Sequence, residues 1–403
     1  MLLKQDIEQA FVMQQAARKT VRAWTNRSYL RDLSTTGSHV EVVSGIRRCG
    51  KSTLMRHLIE QYGSDTAFFN FEDARIYGFG TEDFPKLDEV MGTGITTYFF
   101  DEIQNVPDWE IFVRQLHDRG EKVFITGSNA SLLSRELGTR LTGRHIRHEL
   151  FPFSYPEYID HKKLELGADS LVQYLKDGGF PEYLDSGRIE MLQTLLKDIV
   201  LRDIAVRHGI RNTRTLMDVT LHLLSNVGKE TSFNSLAKSF AIGSANSVSD
   251  YLAWLQDCYL LFLVPMFSYS PKKQSVNPKK VYAIDNGMVV ANTLSFSEDR
   301  GRMLENAVFL HLRQHHDSIF YFKGKGECDF VVFDNNSCTM VVQVCDEIHR
   351  DNRDREINGL MEAMGELKMT KGFIVTRNQT DSMQKDGLEL ELVPAHTFLL
   401  SRN

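Results

Sequence analysis

The chain has 403 residues, of which 42% are apolar and 25% charged, and a formal net charge of −6. That is longer than one hydrophobic core ordinarily organises, which predicts two to four domains. No uncharged apolar stretch approaches the ~20 residues that span a bilayer, and no apolar segment marks the first thirty residues as a secretory leader. The five cysteines (Cys49, Cys258, Cys328, Cys338, Cys345) form no C-x-x-C pair. This spacing argues against a zinc site or disulfide framework and for a reducing compartment, so the expectation is a cytoplasmic protein with no membrane partner.

The first strand-like run is Val40-Glu41-Val42-Val43-Ser44. It leads directly into Gly45-Ile46-Arg47-Arg48-Cys49-Gly50-Lys51-Ser52, a complete G-x-x-x-x-G-K-[ST] loop. The following Thr53-Leu54-Met55-Arg56-His57-Leu58-Ile59 has helical periodicity, with Leu54, Leu58 and Ile59 on one face. Strand, glycine turn and helix N-terminus aim backbone N–H groups and the positive end of a helix dipole at a polyphosphate. Residues 45–53 are therefore expected to bind ATP. Lys51 would neutralise the β- and γ-phosphate oxygens, and the Ser52 hydroxyl would ligate Mg²⁺.

Fifty residues after Lys51, the apolar run Ile95-Thr96-Thr97-Tyr98-Phe99-Phe100 ends in Asp101-Glu102. A buried parallel strand delivers such acids to the carboxyl edge of the sheet, where ligands bind. Asp101 is placed to hold Mg²⁺ and Glu102 to polarise the attacking water. A further strand, Lys122 to Thr126, runs into Gly127-Ser128-Asn129. Polar side chains there, Ser128 and Asn129, are positioned either to bond the γ-phosphate or lytic water or to cap the helix that begins near Ser131. That helix carries Arg135 and Arg140, and Leu141-Thr142-Gly143-Arg144 and a strand from His145 to Leu150 follow it.

Pro152 and Pro156 then break the pattern, and a helical stretch runs to about Asp203, interrupted by Gly178-Gly179-Phe180-Pro181. Beyond it come a helix around Ser232–Phe240, the turn Ala241-Ile242-Gly243, and a second helix from about Ser244 to Asp257. Two strand-like runs, Tyr259 to Phe267 and Lys280 to Ile284, complete a helix–turn–helix and hairpin, a common DNA-docking unit. Between Ile204 and Val281 nine basic residues, among them Lys272, Lys273, Lys279 and Lys280, face four acidic ones, a local +5 in an acidic protein. Such a segment suits contact with double-stranded DNA. The second helix offers only Ser244, Asn246, Ser247 and Ser249, with no Arg or Lys. A protein partner is therefore an equal expectation for this module.

In the last hundred residues, a helix carrying Glu305 precedes a hairpin carrying Asp329, and the next strand carries Gln343 and Cys345. The ordering resembles PD-(D/E)XK nucleases, in which a helix Glu, a hairpin Asp and an acid-x-Lys hold Mg²⁺ and activate water. Here Gln343 and Cys345 stand where the third acid and the lysine belong. Glutamine supplies no ligand charge and a neutral thiol no cation, so a scaffold that has lost cleavage is expected.

The phosphate loop, Asp101-Glu102-Ile103-Gln104, Thr126-Gly127-Ser128-Asn129, Leu141-Thr142-Gly143-Arg144, Gly178-Gly179-Phe180-Pro181 and Val281-Tyr282-Ala283-Ile284-Asp285-Asn286-Gly287 occur in this order. As a set they resemble the widespread prokaryotic AAA+/STAND-like ATPases with a C-terminal restriction-endonuclease-like domain of unknown function. The resemblance implies Ser128 and Asn129 at a sensor position, Arg140 or Arg144 as an arginine finger acting from a neighbouring subunit, and Pro181 packed on adenine. The expected fold class is α/β. A P-loop AAA+ core with a parallel sheet (1–151) and helical lid (152–203) precedes a winged helix (204–297) and a degenerate PD-(D/E)XK-like α/β domain (298–403). The expected function is an ATP-binding, ATP-hydrolysing switch dependent on Mg²⁺, with self-association as the route to an arginine finger. An ATP-gated DNA nuclease and a non-hydrolysing, ATP-liganded partner-binding protein are the alternatives. The Gln343/Cys345 pair argues against the first and Glu102 against the second.

Overall fold

The apolar runs ending at Ser44, Asn70, Asp101 and Gly127 become adjacent strands of one parallel sheet, with β1 Val40–Ser44, β2 Thr66–Asn70, β3 Thr97–Asp101, β4 Lys122–Gly127 and β5 His145–Glu149 in the order β2-β3-β4-β1-β5. The computed structural model describes residues 1–18, 24–27, 33, 37–63, 65–129, 141–294 and 300–401, which form two compact units, Met1–Phe151 and Pro152–Asn403. In the first unit every residue of β1, β3 and β4 is buried, as a parallel sheet covered on both faces requires. The helices Lys51–Tyr62 (α2), Phe84–Met91 (α3) and Trp109–Asp118 (α4) cover it. Phe84 and Phe112 stack at 4.6 Å inside an aromatic cluster with Phe69, Phe71, Phe79 and Phe100.

The N-terminal helix α1, Lys4–Arg18, closes the open edge at β2 with side-chain amides. Gln15 donates to the Phe68 carbonyl at 2.7 Å, and Gln14 accepts from the Asn70 N–H at 2.8 Å. These bonds occupy backbone groups that an exposed edge strand would offer to another chain.

The second unit begins with helices. Tyr155–Lys162 starts at a Ser154/Glu157 capping box, and Ala168–Asp177, Pro181–Ser186 and Glu190–Asp198 follow. The last continues as a π-helix to Val206, slightly past the Asp203 boundary expected from sequence. Next come the helix Thr213–Leu224, strand β6 (Glu230–Thr231), the helices Phe233–Ser239 and Ala245–Asp257, and an antiparallel hairpin of β7 (Leu261–Pro265) and β8 (Lys279–Ala283). The hairpin connection, to which the sequence reading gave no structure, contains a short helix, Pro271–Val276. Its proline sits in the first turn, where a fixed φ and a missing N–H cost nothing.

The remaining chain folds into a six-stranded sheet in the order β13-β14-β12-β11-β10-β9. Strands β9 (Ser318–Lys323), β10 (Glu327–Asp334) and β11 (Ser337–Val344) form an antiparallel meander. Strands β11, β12 (Lys371–Thr376) and β14 (Leu388–Pro394) run parallel, and β13 (Asp381–Lys385) closes the edge. A parallel bridge, Met266 to Tyr321, runs from the residue after β7 to β9.

Two sequence motifs of this unit turn out to bind each other. Asp285 is buried and accepts N–H bonds from Gly179 at 2.6 Å and Met288 at 2.8 Å. Gly178 has φ +70°, a Cβ there would strike the Asp285 carboxylate, and a Cβ on Gly179 would run into the Phe153 carbonyl. The glycines of Gly178-Gly179-Phe180-Pro181 are thus required by close approach to Asp285 and Phe153. Burial, against the pull of these N–H donors, pushes the Asp285 carboxyl from 3.8 up to about 7. A raised carboxyl pKa means the folded state holds a proton that the unfolded chain releases. Its stabilisation is full below pH 3.8 and is lost as pH rises through about 7. In denaturant melts between pH 4 and 8, Asp285→Asn is expected to remove this component, flattening the decline of stability with pH by up to about 1.4 kcal/mol per pH unit.

Candidate nucleotide-binding site

Because β4 lies between β1 and β3, the loops leaving those two strands meet above its carboxyl end. Gly45 must be glycine, since a Cβ would strike the Leu150 carbonyl. Arg48 (φ 65°) and Gly50 (φ 108°) adopt left-handed conformations that curl residues 45–50 ahead of α2. Ile46 and Cys49 are buried beneath the loop, and burial raises the Cys49 thiol, leaving it neutral. Arg47 pairs with Glu72, and Thr53 is exposed in the first turn of α2.

Lys51 is 4% exposed and folds back over its own loop, donating to the Gly45 carbonyl at 3.0 Å and the Ile46 carbonyl at 3.1 Å. Its ammonium stands 3.5 Å from Glu102 Oε1. Burial works to discharge the lysine, but the surrounding groups, Glu102 foremost, together outweigh it and hold the Lys51 pKa above its ordinary value. The same attraction, with bonds from Gln104 (2.6 Å) and Ser128, overcomes burial and keeps Glu102 below the usual carboxylate range. Glu102 lies just past β3 with φ 52°, and this left-handed turn separates its side chain from that of Asp101.

Asp101 is fully buried and bonded on three sides. Thr126 donates at 2.6 Å, Asn70 donates at 3.2 Å, and the Ser52 hydroxyl is a further partner. Burial, aided by the nearby Glu102 charge, raises its pKa. Thr126 also accepts the Glu102 N–H at 3.0 Å, so one hydroxyl on β4 orients both acids. Ser52 and Asp101 present hard oxygen donors to one point and fit Mg²⁺.

The sequence-predicted residues of the first unit thus largely converge: Lys51, Ser52, Asp101, Glu102 and Ser128 are linked, and Asn129 is buried beside them. Arg140 lies outside the described residues. Arg144 precedes β5, at the sheet edge opposite the phosphate loop, and pairs with Asp118 at 2.7 Å. It is not part of this chain's own phosphate site. Pro181 begins its short helix in the second unit. Asn70, Gln104 and Thr126 were missed as site residues. For Thr126 and Asn70 the available signal was a polar residue closing an apolar strand.

At the C-terminal positions the sequence reading needs a correction. Glu305 and Asp329 do come together, but a cation is already present: Lys280 from β8, 2.7 Å from Asp329 and 3.3 Å from Glu305. Lys280 is 3% exposed and so does not belong to the basic surface in which it was counted. Gln343 accepts the Asp329 N–H at 3.2 Å and donates to Glu356 at 2.6 Å, a bridging role. Burial pushes the Cys345 thiol up to about 12, which keeps it neutral.

Fold, loop and paired acids define a P-loop nucleotide-binding protein of the AAA class, and residues 37–159 match the AAA domain family model. Residues 168–299 match a domain of unknown function, DUF8612. An uncharacterized protein of Methanocaldococcus jannaschii is 35% identical over 358 residues, 82% of this chain and 80% of that one. The chain belongs to the family of AAA-domain proteins that this archaeal relative represents. An uncharacterized protein of Haemophilus influenzae is 29% identical over 374 residues, 87% of this chain and 92% of that one. Among solved structures, the Thermotoga maritima RuvB Holliday junction branch migration motor aligns at 17% identity, 65% of this chain and 88% of that one, with a TM-score of 0.32. The ADP form of the Aeropyrum pernix ORC2 protein aligns at 12% identity, 63% and 86%, with a TM-score of 0.32. Among the described residues, no helix is long and apolar enough to cross a membrane.

Lys51→Ala removes the one ammonium placed for phosphate. It is expected to weaken ATP binding by about 10²-fold, the worth of one to two charge-assisted hydrogen bonds, read by calorimetric titration.

Proposed function

We propose that the chain is a Mg²⁺-dependent ATPase of the AAA+/STAND type, acting as a switch whose nucleotide state governs the appended second unit. The observation that carries this reading is the ionised Glu102 held opposite Lys51, beside the Ser52/Asp101 pair. A protein that only stores ATP needs the loop but has no use for an ordered, ionised carboxylate next to it.

Ser52 and Asp101 would hold Mg²⁺, which supplies charge neutralisation to the phosphates. The loop N–H groups and the α2 N-terminus bind phosphate oxygens. Lys51 exchanges its internal partners, the Gly45 and Ile46 carbonyls and Glu102, for those oxygens. Glu102 is thereby released from its ion pair, and Gln104 and Ser128 keep it oriented to accept a proton from the attacking water. Arg140 or Arg144 of a neighbouring copy is the candidate for charge stabilisation across a subunit boundary, and Pro181 is the candidate adenine neighbour.

The order helix, short strand, helix, helix and hairpin over 213–283 supports reading this region as a winged helix. Its hairpin connection exposes Lys272 and Lys273, with Tyr269 and Val276 beside them. Two lysines and an aromatic ring at an exposed tip suit contact with duplex phosphates. Lys279 contributes less, because it is bonded to the carbonyls of Gln274, Ser275 and Asn277. The region after 298 is read as a nuclease-like scaffold without cleavage.

Glu102→Gln is expected to retain ATP and lose turnover by about 10²–10⁴-fold, read as phosphate release alongside binding. Turnover at the parent rate would remove Glu102 as the base. Charge reversal at Lys272 and Lys273 together is expected to weaken binding to duplexes of any sequence. It should also lower the slope of log affinity against log salt by roughly two. Binding that ignores salt points instead to a protein partner.

A further inference from the structure

Glu305, Glu327 and Asp329 surround the Lys280 ammonium. Its Nζ lies 2.7 Å from Asp329 Oδ1, 2.7 Å from Glu327 Oε1 and 3.3 Å from Glu305 Oε1. Three ammonium protons meet three carboxylates, so the donor set is complete. Tyr282, two residues along β8 and hence on the same face, donates to Glu305 at 2.6 Å. The Val344 N–H fixes the other Asp329 oxygen at 2.9 Å. The Lys280 side chain is 3% exposed, those of Glu305 and Asp329 are 13% and 8% exposed, and Glu327, 40% exposed, closes the solvent side.

Glu305 and Asp329 are the two acids that the nuclease pattern assigns to a metal. A divalent ion drawn into the same pocket needs the same oxygens and meets an ammonium it cannot displace without moving β8. Buried like charges at such range repel strongly. The lysine comes from the hairpin, 25 residues from Glu305 and 49 from Asp329 in sequence. The pocket is complete only when the three-stranded sheet and the C-terminal sheet lie together.

We propose that the Glu305–Glu327–Asp329 pocket is a cation site whose resident cation is the Lys280 ammonium, standing where a divalent metal would bind. The cluster clamps β8 to the C-terminal sheet, and removal of the lysine leaves a divalent-cation site. The inference rests on this pocket alone. Its failure leaves Glu102 and the ATPase reading untouched, and failure of that reading leaves the pocket unchanged.

The test uses the full-length chain without nucleotide, titrated with Mn²⁺ while free Mn²⁺ is followed by electron paramagnetic resonance. Lys280→Met is expected to acquire a Mn²⁺ site at least about tenfold tighter than any in the parent, a difference worth ~1.4 kcal/mol. The gain should vanish in Lys280→Met/Asp329→Asn. No gain in a folded Lys280→Met would overturn the proposal. So would Mn²⁺ binding by the parent that Asp329→Asn abolishes, because the acids would then hold metal with the lysine in place. Thermal melts provide the second readout. Lys280→Met should be destabilised by its uncompensated acids, and Lys280→Met/Glu305→Gln/Asp329→Asn should recover most of the loss. If Lys280→Met fails to fold and the neutralised triple variant fails equally, charge compensation is not the lysine's role and the proposal falls.

Discussion

The organising constraint of the first unit is that a lysine ammonium, buried at the end of a parallel sheet, must find negative charge. Lys51 meets that requirement with two loop carbonyls and Glu102. Glu102 is available only because β4 separates β1 from β3 and holds both acids through Thr126. The Lys51 network is satisfied within the loop and the strand ends that flank it. Glu102 is a charged internal partner of Lys51, and Gln104 and Ser128 bond it as well.

The second unit solves comparable problems without a ligand. Among the described residues Asp285 is bonded by backbone N–H groups from the Gly178-Gly179 turn and its own helix N-terminus, with no cation beside it. Lys280 has three carboxylates. In both cases groups distant in the chain meet around a buried side chain, Asp285 or Lys280, where leaving one partner out strands the other. These contacts tie the helices after Ser154, the three-stranded sheet and the C-terminal sheet into a single unit.

The Lys280 cluster lies near Gln343 and Cys345, the positions at which the sequence pattern led one to expect an acid and a lysine. Strand β11 carries the Gln343 amide, which bridges Asp329 and Glu356, and the thiol of Cys345 just beyond it is neutral. Negative charge remains in the pocket, but the hairpin answers it. Through Lys280, Glu305 and Asp329 help to hold β8 against the C-terminal sheet.

The local parts of this protein were legible from residue order. The phosphate loop could be read because strand, glycine turn and helix are contiguous, and its chemistry is carried by backbone groups and the adjacent Lys51 and Ser52. Asp101 and Glu102 could be read because an apolar strand ending in acids has few other uses beside such a loop. In the second unit, periodicity and turn residues placed the helices near 232–240 and 244–257, the hairpin strands and the elements from Leu304 to Cys345; the helix Thr213–Leu224, the short helix Pro271–Val276 and the elements beyond Cys345 were not read. Partnerships between distant residues were left to the tertiary structure. Sequence counted Lys280 as one basic residue among nine, read Gly178-Gly179 as a turn, and left Thr126 as the end of a strand. Burial changes what each of these does. A charge or a glycine has no fixed role until the fold decides which groups share its dry environment, and those groups here lie 24 to 106 residues away.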